Sequence, residues 1–155
     1  MAHVFVSYAT PDQAVAFRIA NYLEGEGIAC WIAPRNVGPG MEYGAAIISG
    51  IETSVALVLV LSESANESGF VRKEVERAVS KAKPILPVRV REVRPSGSLE
   101  FFISSAQWVD AFASPMEQHL TALTQAIRAL GGDASPAPPT RRSIPLAPPR
   151  KRLDV

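Results

Sequence analysis

Apolar residues fall along the chain in two alternating rhythms. Short β-branched or aromatic runs read as strands: Val4-Phe5-Val6-Ser7-Tyr8, Ile28-Ala29-Cys30-Trp31-Ile32, Val55 to Leu61, Ile85 to Val90, and a short Gln107-Trp108-Val109. Between them apolar positions recur at helical spacing. Val15, Ile19, Tyr22 and Leu23 form one stripe, with Asp12 placed to cap its helix and Gly25 and Gly27 to end it. Tyr43, Ile47 and Ile51 share a face of a second helix, which Gly44 and Gly50 weaken. A third helix runs from Phe70 to Ala82, starting near Asn66 or Ser68, and its buried face is Val71, Val75, Ala78, Val79 and Ala82, with Pro84 ending it. In the last helix Ser114 caps, Pro115 takes the first position and Glu117 completes a capping box. Leu120, Leu123, Ile127 and Leu130 make its buried face, and Gly131-Gly132 stops it. The stretch from Arg91 to Ser105 follows neither rhythm.

Strands thus alternate with helices roughly every 20 to 25 residues, which implies right-handed crossovers and a parallel sheet with helices on both faces. Val55 to Leu61 is apolar without alternation, as a central strand covered on both sides must be. Pro87 puts the fourth strand near an edge. Ligands of such sheets bind beyond the carboxyl ends of the strands, here Ser7 to Thr10, Ala33 to Gly40 and Ser62 to Ser68.

On the third helix Phe70, Glu74, Arg77 and Lys81 form the stripe beside the buried one. Glu74 therefore leaves the core one turn past an aromatic residue, roughly 6–9 Å into the helix at 1.5 Å per residue. Two readings are open. The carboxylate is half desolvated and reaches the cleft, or it is a solvated helix edge paired with Arg77 at i+3.

Composition narrows the classes. A chain of 155 residues, 47% hydrophobic, buries one core. Residues 1–132 are the expected domain. Six of the 13 prolines lie between Pro136 and Pro149, so 133–155 is expected to be a disordered basic tail, or a linker to a domain absent from the chain. Of the net charge of +1, the segment from Ser135 carries +4, leaving the folded part mildly acidic, so no nucleic-acid partner is expected. Cys30 is the only cysteine and is expected to be a buried, inert thiol. No secretory signal opens the chain and its longest apolar run is too short for a bilayer, so no membrane partner and a soluble cytoplasmic location are expected. Trp31 and Trp108 read as core residues. His3 and His119 stand far apart in sequence, so neither a metal site nor a Ser-His-Asp triad is supported. G-x-G-x-x-G and G-x-x-x-x-G-K-[ST] are both missing.

Three segments together resemble a known family. Val4-Phe5-Val6-Ser7-Tyr8, Cys30-Trp31-Ile32-Ala33-Pro34-Arg35-Asn36-Val37-Gly38-Pro39-Gly40, and Ser62 through Glu74 follow the order and spacing of a Toll/interleukin-1 receptor (TIR) domain of the bacterial type. That family has a first strand ending F-x-S-Y, a second ending W-I before a loop R-D-x-x-P-G, and a helix carrying W-x-x-x-E. The resemblance covers about residues 3 to 130. It implies a flavodoxin-like three-layer α/β domain with a five-stranded parallel sheet. It also implies one of two activities. Many TIR domains cleave NAD at the nicotinamide–ribose bond, by hydrolysis or cyclisation, often in bacterial antiviral defence; others are non-enzymatic adaptors that bind further TIR domains.

By the same resemblance the essential glutamate is Glu74, with substrate contacts at Tyr8, Ala9, Arg35, Tyr43 and Phe70. NAD is then a substrate, and no cofactor is implied. Self-association through the loop Ala33 to Gly40 is implied too, with a sensor or regulatory domain beyond the tail. A lone carboxylate suits the reaction, because nicotinamide leaves as a neutral base and only the oxocarbenium-like ribosyl group needs stabilising. Two positions depart from the family pattern. Phe70 stands where tryptophan is usual and loses the indole N–H, and Asn36 stands for aspartate and loses a charge.

Overall fold

The computed structural model describes residues 3–40, 42–103, 108–112 and 115–130. The expected tail at 133–155 lies outside these residues, as do Gln107, Ser114 and Gly131-Gly132.

The strands are β1 (His3–Ser7), β2 (Ala29–Trp31), β3 (Ala56–Leu61), β4 (Ile85–Arg89) and β5 (Val109–Asp110), forming one parallel sheet in the order β2-β1-β3-β4-β5. The helices are α1 (Gln13–Gly25), α2 (Tyr43–Glu52), α3 (Glu63–Glu67), α4 (Gly69–Ser80), α5 (Gly97–Ile103) and α6 (Met116–Ala129). This is the flavodoxin-like α/β architecture. Every residue of β3 is buried, because alternate side chains feed two separate cores. Val58 and Val60 join Val4 and Val6 against α1 and α6. Leu57, Leu59 and Leu61 join Phe5 against α4 and α5. Ser7 shares the parity of Phe5, so β1 delivers its hydroxyl to the α4 side.

Several local expectations are corrected by tertiary partners. Asp12 ends a 3-10 turn (Thr10–Asp12) and does not cap α1 through its side chain; its carboxylate accepts a hydrogen bond from the Ser62 hydroxyl. Ser62 in turn caps α3, a helix the sequence pattern did not announce, by accepting from the Ala65 amide. Ser68 caps α4 by accepting from the Val71 amide. That helix stops at Ser80, short of Pro84. Ala82 lies beyond it in the left-handed region (φ 59°), with its amide on the Val79 carbonyl and that of Lys83 on Ala78. Val71, Val75 and Ala78 are buried as expected, whereas Val79 in the last turn is 40% exposed.

In α6, Pro115 is the capping residue itself, and the Glu117 carboxylate pairs with Arg18 at 2.9 Å. Leu120, Leu123 and Ile127 are buried, while Leu130 is 41% exposed past the helix end. The segment from Arg91 to Ser105 contains α5, which buries Leu99 and Ile103. β5 begins at Val109, where Asp110 pairs with Arg89 at 2.6 Å, and the Arg89 guanidinium packs over the ring of Trp108. Pro87 is tolerated in β4 because β5 pairs only with Val88 and Arg89, so the proline precedes the first outer partner.

One close approach sets the position of α2. Trp31 stacks on Phe5 with ring centroids 5.0 Å apart, and its indole lies over Gly50. A Cβ there would stand 2.7 Å from the ring, so the glycine that weakens the helix is what lets it seat.

Candidate functional site

The strand order reverses direction between β1 and β3, and a crevice at such a switch point opens beyond the carboxyl ends of the strands. A cleft of about 160 Å³ lies there, walled by Tyr8 and Thr10 after β1, Ala33 after β2, Tyr43 and Ile47 of α2, and Phe70 and Glu74 of α4.

Glu74 is the carboxylate among its described lining residues. It does not pair with Arg77, which binds Glu52 at 2.6 Å, so the ion-paired helix edge is not formed. Its Oε1 accepts a hydrogen bond from the buried Ser7 hydroxyl at 2.7 Å, and Oε2 has no partner among the described residues. Burial pushes the carboxyl up to about 7, while the Ser7 hydrogen bond pulls the other way. Near neutrality the group is thus divided between acid and carboxylate.

Tyr8 forms the wall toward the loop. Its hydroxyl donates to the Ala33 carbonyl at 2.6 Å, and its ring meets Phe17 edge-on at 6.4 Å. Burial, then Tyr43 and Glu74, raise its phenol pKa, so it remains a donor. Phe70 is 74% exposed and Tyr43 51%, so the mouth of the cleft is two aromatic rings facing outward.

Of the residues singled out by sequence, the structure brings Tyr8, Tyr43, Phe70 and Glu74 together. Ala9 is buried beneath the wall, its carbonyl accepting from the Asp12 amide, and does not line the cleft. Arg35 is turned away. Its guanidinium pairs with Glu24 at 2.6 Å and donates to the Cys30 carbonyl, which fastens the loop root to α1. Asn36 uses its Oδ1 to accept from the Ile32 amide at 2.9 Å, a contact that needs an acceptor oxygen but no charge. Cys30 is buried and its thiol is pushed up to about 12, chiefly by burial.

Sequence reasoning missed Ser7 as the holder of the carboxylate. The F-x-S-Y run contained the signal, since Ser7 is a polar residue on the buried face of β1. Thr10 and Ala33 line the cleft at the strand ends where the sequence places it, and Ile47 was missed as a wall. Among the described residues no group of three or more His, Cys, Asp or Glu could hold a metal ion, and no helix is long and apolar enough to cross a membrane.

An α/β domain with a switch-point cleft built around one half-buried glutamate is the class that fold and site define. Residues 4–127 match the TIR domain family, and the chain belongs to it. Solved structures agree on the fold. The TIR domain of the Toll-related receptor TRR-2 from Hydra magnipapillata is 21% identical with a TM-score of 0.70, over 83% of this chain and 99% of that one. A prokaryotic SEFIR domain is 14% identical with a TM-score of 0.62, over 82% and 99%. The TIR domains of the activated Roq1 resistosome, which directly recognises the pathogen effector XopQ, are 17% identical with a TM-score of 0.54, over 87% and 86%. Among curated proteins none matches the chain.

Proposed function

We propose that this TIR domain is an NAD glycohydrolase, cleaving NAD at the nicotinamide–ribose bond to ADP-ribose or a cyclic ADP-ribose, and that it works as an assembled, cytoplasmic defence effector. The observation that carries this reading is the Ser7–Glu74 pair: one carboxylate oxygen of this cleft-lining residue is held by the protein, and the other has no partner among the described residues. A carboxylate so placed can accept from the ribose hydroxyls and stabilise the oxocarbenium-like transition state. Its partial burial strengthens that interaction. The leaving nicotinamide requires no acid, and the aromatic rings of Tyr8, Tyr43 and Phe70 suit a flat base.

The cleft alone, at about 160 Å³, is below the roughly 300–1,000 Å³ of small-molecule sites. A site incomplete in one copy favours self-association, with the neighbour's loop Ala33 to Gly40 covering the mouth. The outward-facing apolar rings of Phe70 and Tyr43 also favour the second reading, a non-enzymatic module that binds other TIR domains.

One experiment separates the two. Concentrated protein is incubated with NAD and the products are resolved by chromatography, beside Glu74→Ala. Nicotinamide release by the wild type, reduced at least about a hundredfold in the variant, supports the enzyme. Release from neither protein leaves the interaction module.

A further inference from the structure

Beside the cleft, and sharing Tyr43, Ile47, Phe70 and Glu74 with it, a groove of about 400 Å³ runs between α2 and α4. Its α4 wall is Phe70, Lys73, Glu74 and Arg77, the i, i+3, i+4, i+7 stripe of one helix face. Its α2 wall is largely apolar, and Gly44, with no side chain, is part of it. The two hollows differ in charge. Among the described residues the cleft is lined by no arginine or lysine, and Arg35 is neutralised by Glu24. The groove has Lys73 and Arg77. Lys73 has no ion-pair or hydrogen-bond partner among the described residues, and the Arg77 Nε is a buried donor without an acceptor.

Resting on the reading of Glu74 as an NAD-cleaving carboxylate, we infer that this groove holds the ADP half of the dinucleotide, with Lys73 as the principal cation for its diphosphate. The volume places it within the small-molecule range of roughly 300–1,000 Å³. The apolar α2 wall suits a purine, and a diphosphate leaving the cleft meets Lys73 one residue from Glu74. Lysine serves such a group as a point charge. Arg77 is a secondary contact, because one of its terminal nitrogens already binds Glu52.

The test compares NAD with nicotinamide riboside, which has the same scissile bond and no ADP. Lys73→Ala should raise KM for NAD about tenfold with kcat little changed, leave nicotinamide riboside turnover unaltered, and be rescued by Lys73→Arg. Gly44→Leu should act likewise by filling the groove. Its Cβ would meet nothing closer than the Glu42 carboxylate at 3.4 Å, and leucine favours the helix, so the variant folds. Equal effects on both substrates, or an unchanged KM for NAD, would overturn the assignment. A wild type inert toward NAD removes the enzymatic reading, and the groove is then judged by titration with ADP-ribose. Amide shifts at Gly44, Ile48 and Lys73 that vanish in Lys73→Ala sustain the site, and their absence removes it.

Discussion

The hydroxyl of Ser7 donates to the carboxylate of Glu74 at 2.7 Å, joining the end of the first strand to a helix 67 residues later. The contact joins the cleft's acid to the centre of the sheet, since Ser7 pairs in register with Leu59 of β3. Burial raises the pKa of the acid, and this contact tempers the rise, because a hydrogen bond to the charged form offsets part of the cost of burying it.

Cleavage should therefore follow the ionisation of Glu74. In the proposed reaction the group acts as a carboxylate, so kcat/KM is expected to rise from pH 6 to pH 8 and level off, with its midpoint near the Glu74 value of about 7. Ser7→Ala removes the hydrogen bond that favours the charged form, so the midpoint moves to higher pH and activity at pH 7 falls about tenfold. A profile that drops in amplitude without moving would make Ser7 a packing residue only.

The same carboxyl should cost stability. Its folded value of about 7 lies above the ordinary 4.5, so the folded state holds the proton more tightly than the unfolded chain. Stability is then fully present below about pH 4.5 and falls as the pH rises to 7, by on the order of 3 kcal/mol. Glu74→Gln removes that slope, and should match the wild type near pH 4.5 and exceed it at pH 8. Urea denaturation at the two pH values measures this, and identical differences at both would contradict it.

Gly50→Ala should destabilise the fold although alanine is the better helix former. The added methyl would lie 2.7 Å from the Trp31 indole, and overpacking of this kind costs about 1–3 kcal/mol. A melting temperature lowered by several degrees is expected; an unchanged one would show that Trp31 can yield.

Assembly should appear as concentration dependence. Specific NAD turnover is expected to rise across a hundredfold range of protein concentration, because the competent, associated state is only fractionally populated. Gly40→Pro, which cannot adopt the φ of +81° found there, should flatten the rise. Substantial turnover that is constant across the range would remove the shared site.

Much of this was legible beforehand for a physical reason. Val55 to Leu61 reads as a central strand because two faces must both be apolar, and Glu74 reads as a helix-edge carboxylate because Val71, Val75 and Ala78 fix the buried stripe beside it. What escaped is what only folding brings together. Ser7 meets Glu74 through strand parity and a crossover, and neither is a local property. Asp12 had the position of a helix cap, but Ser62 supplied its partner from elsewhere, and Arg18 likewise reaches Glu117 from another helix. Arg35 stood among the implied substrate contacts, but α1 presents Glu24 to it. Val79 and Leu130 continue their apolar stripes past the point where the sheet can cover them.

The bond from the Tyr8 hydroxyl to the Ala33 carbonyl has a mechanical meaning. One aromatic side chain is both the side of the cleft and the peg on which the Ala33–Gly40 loop hangs. In the proposed assembly, a neighbour that grips the loop would pull on this bond, and the pull would arrive at the ring beside Glu74 with no intervening residue. If the proposed assembly forms, such a molecule would need no separate relay to sense that it has company: contact with another copy and the shape of its own hollow would be two ends of a single lever.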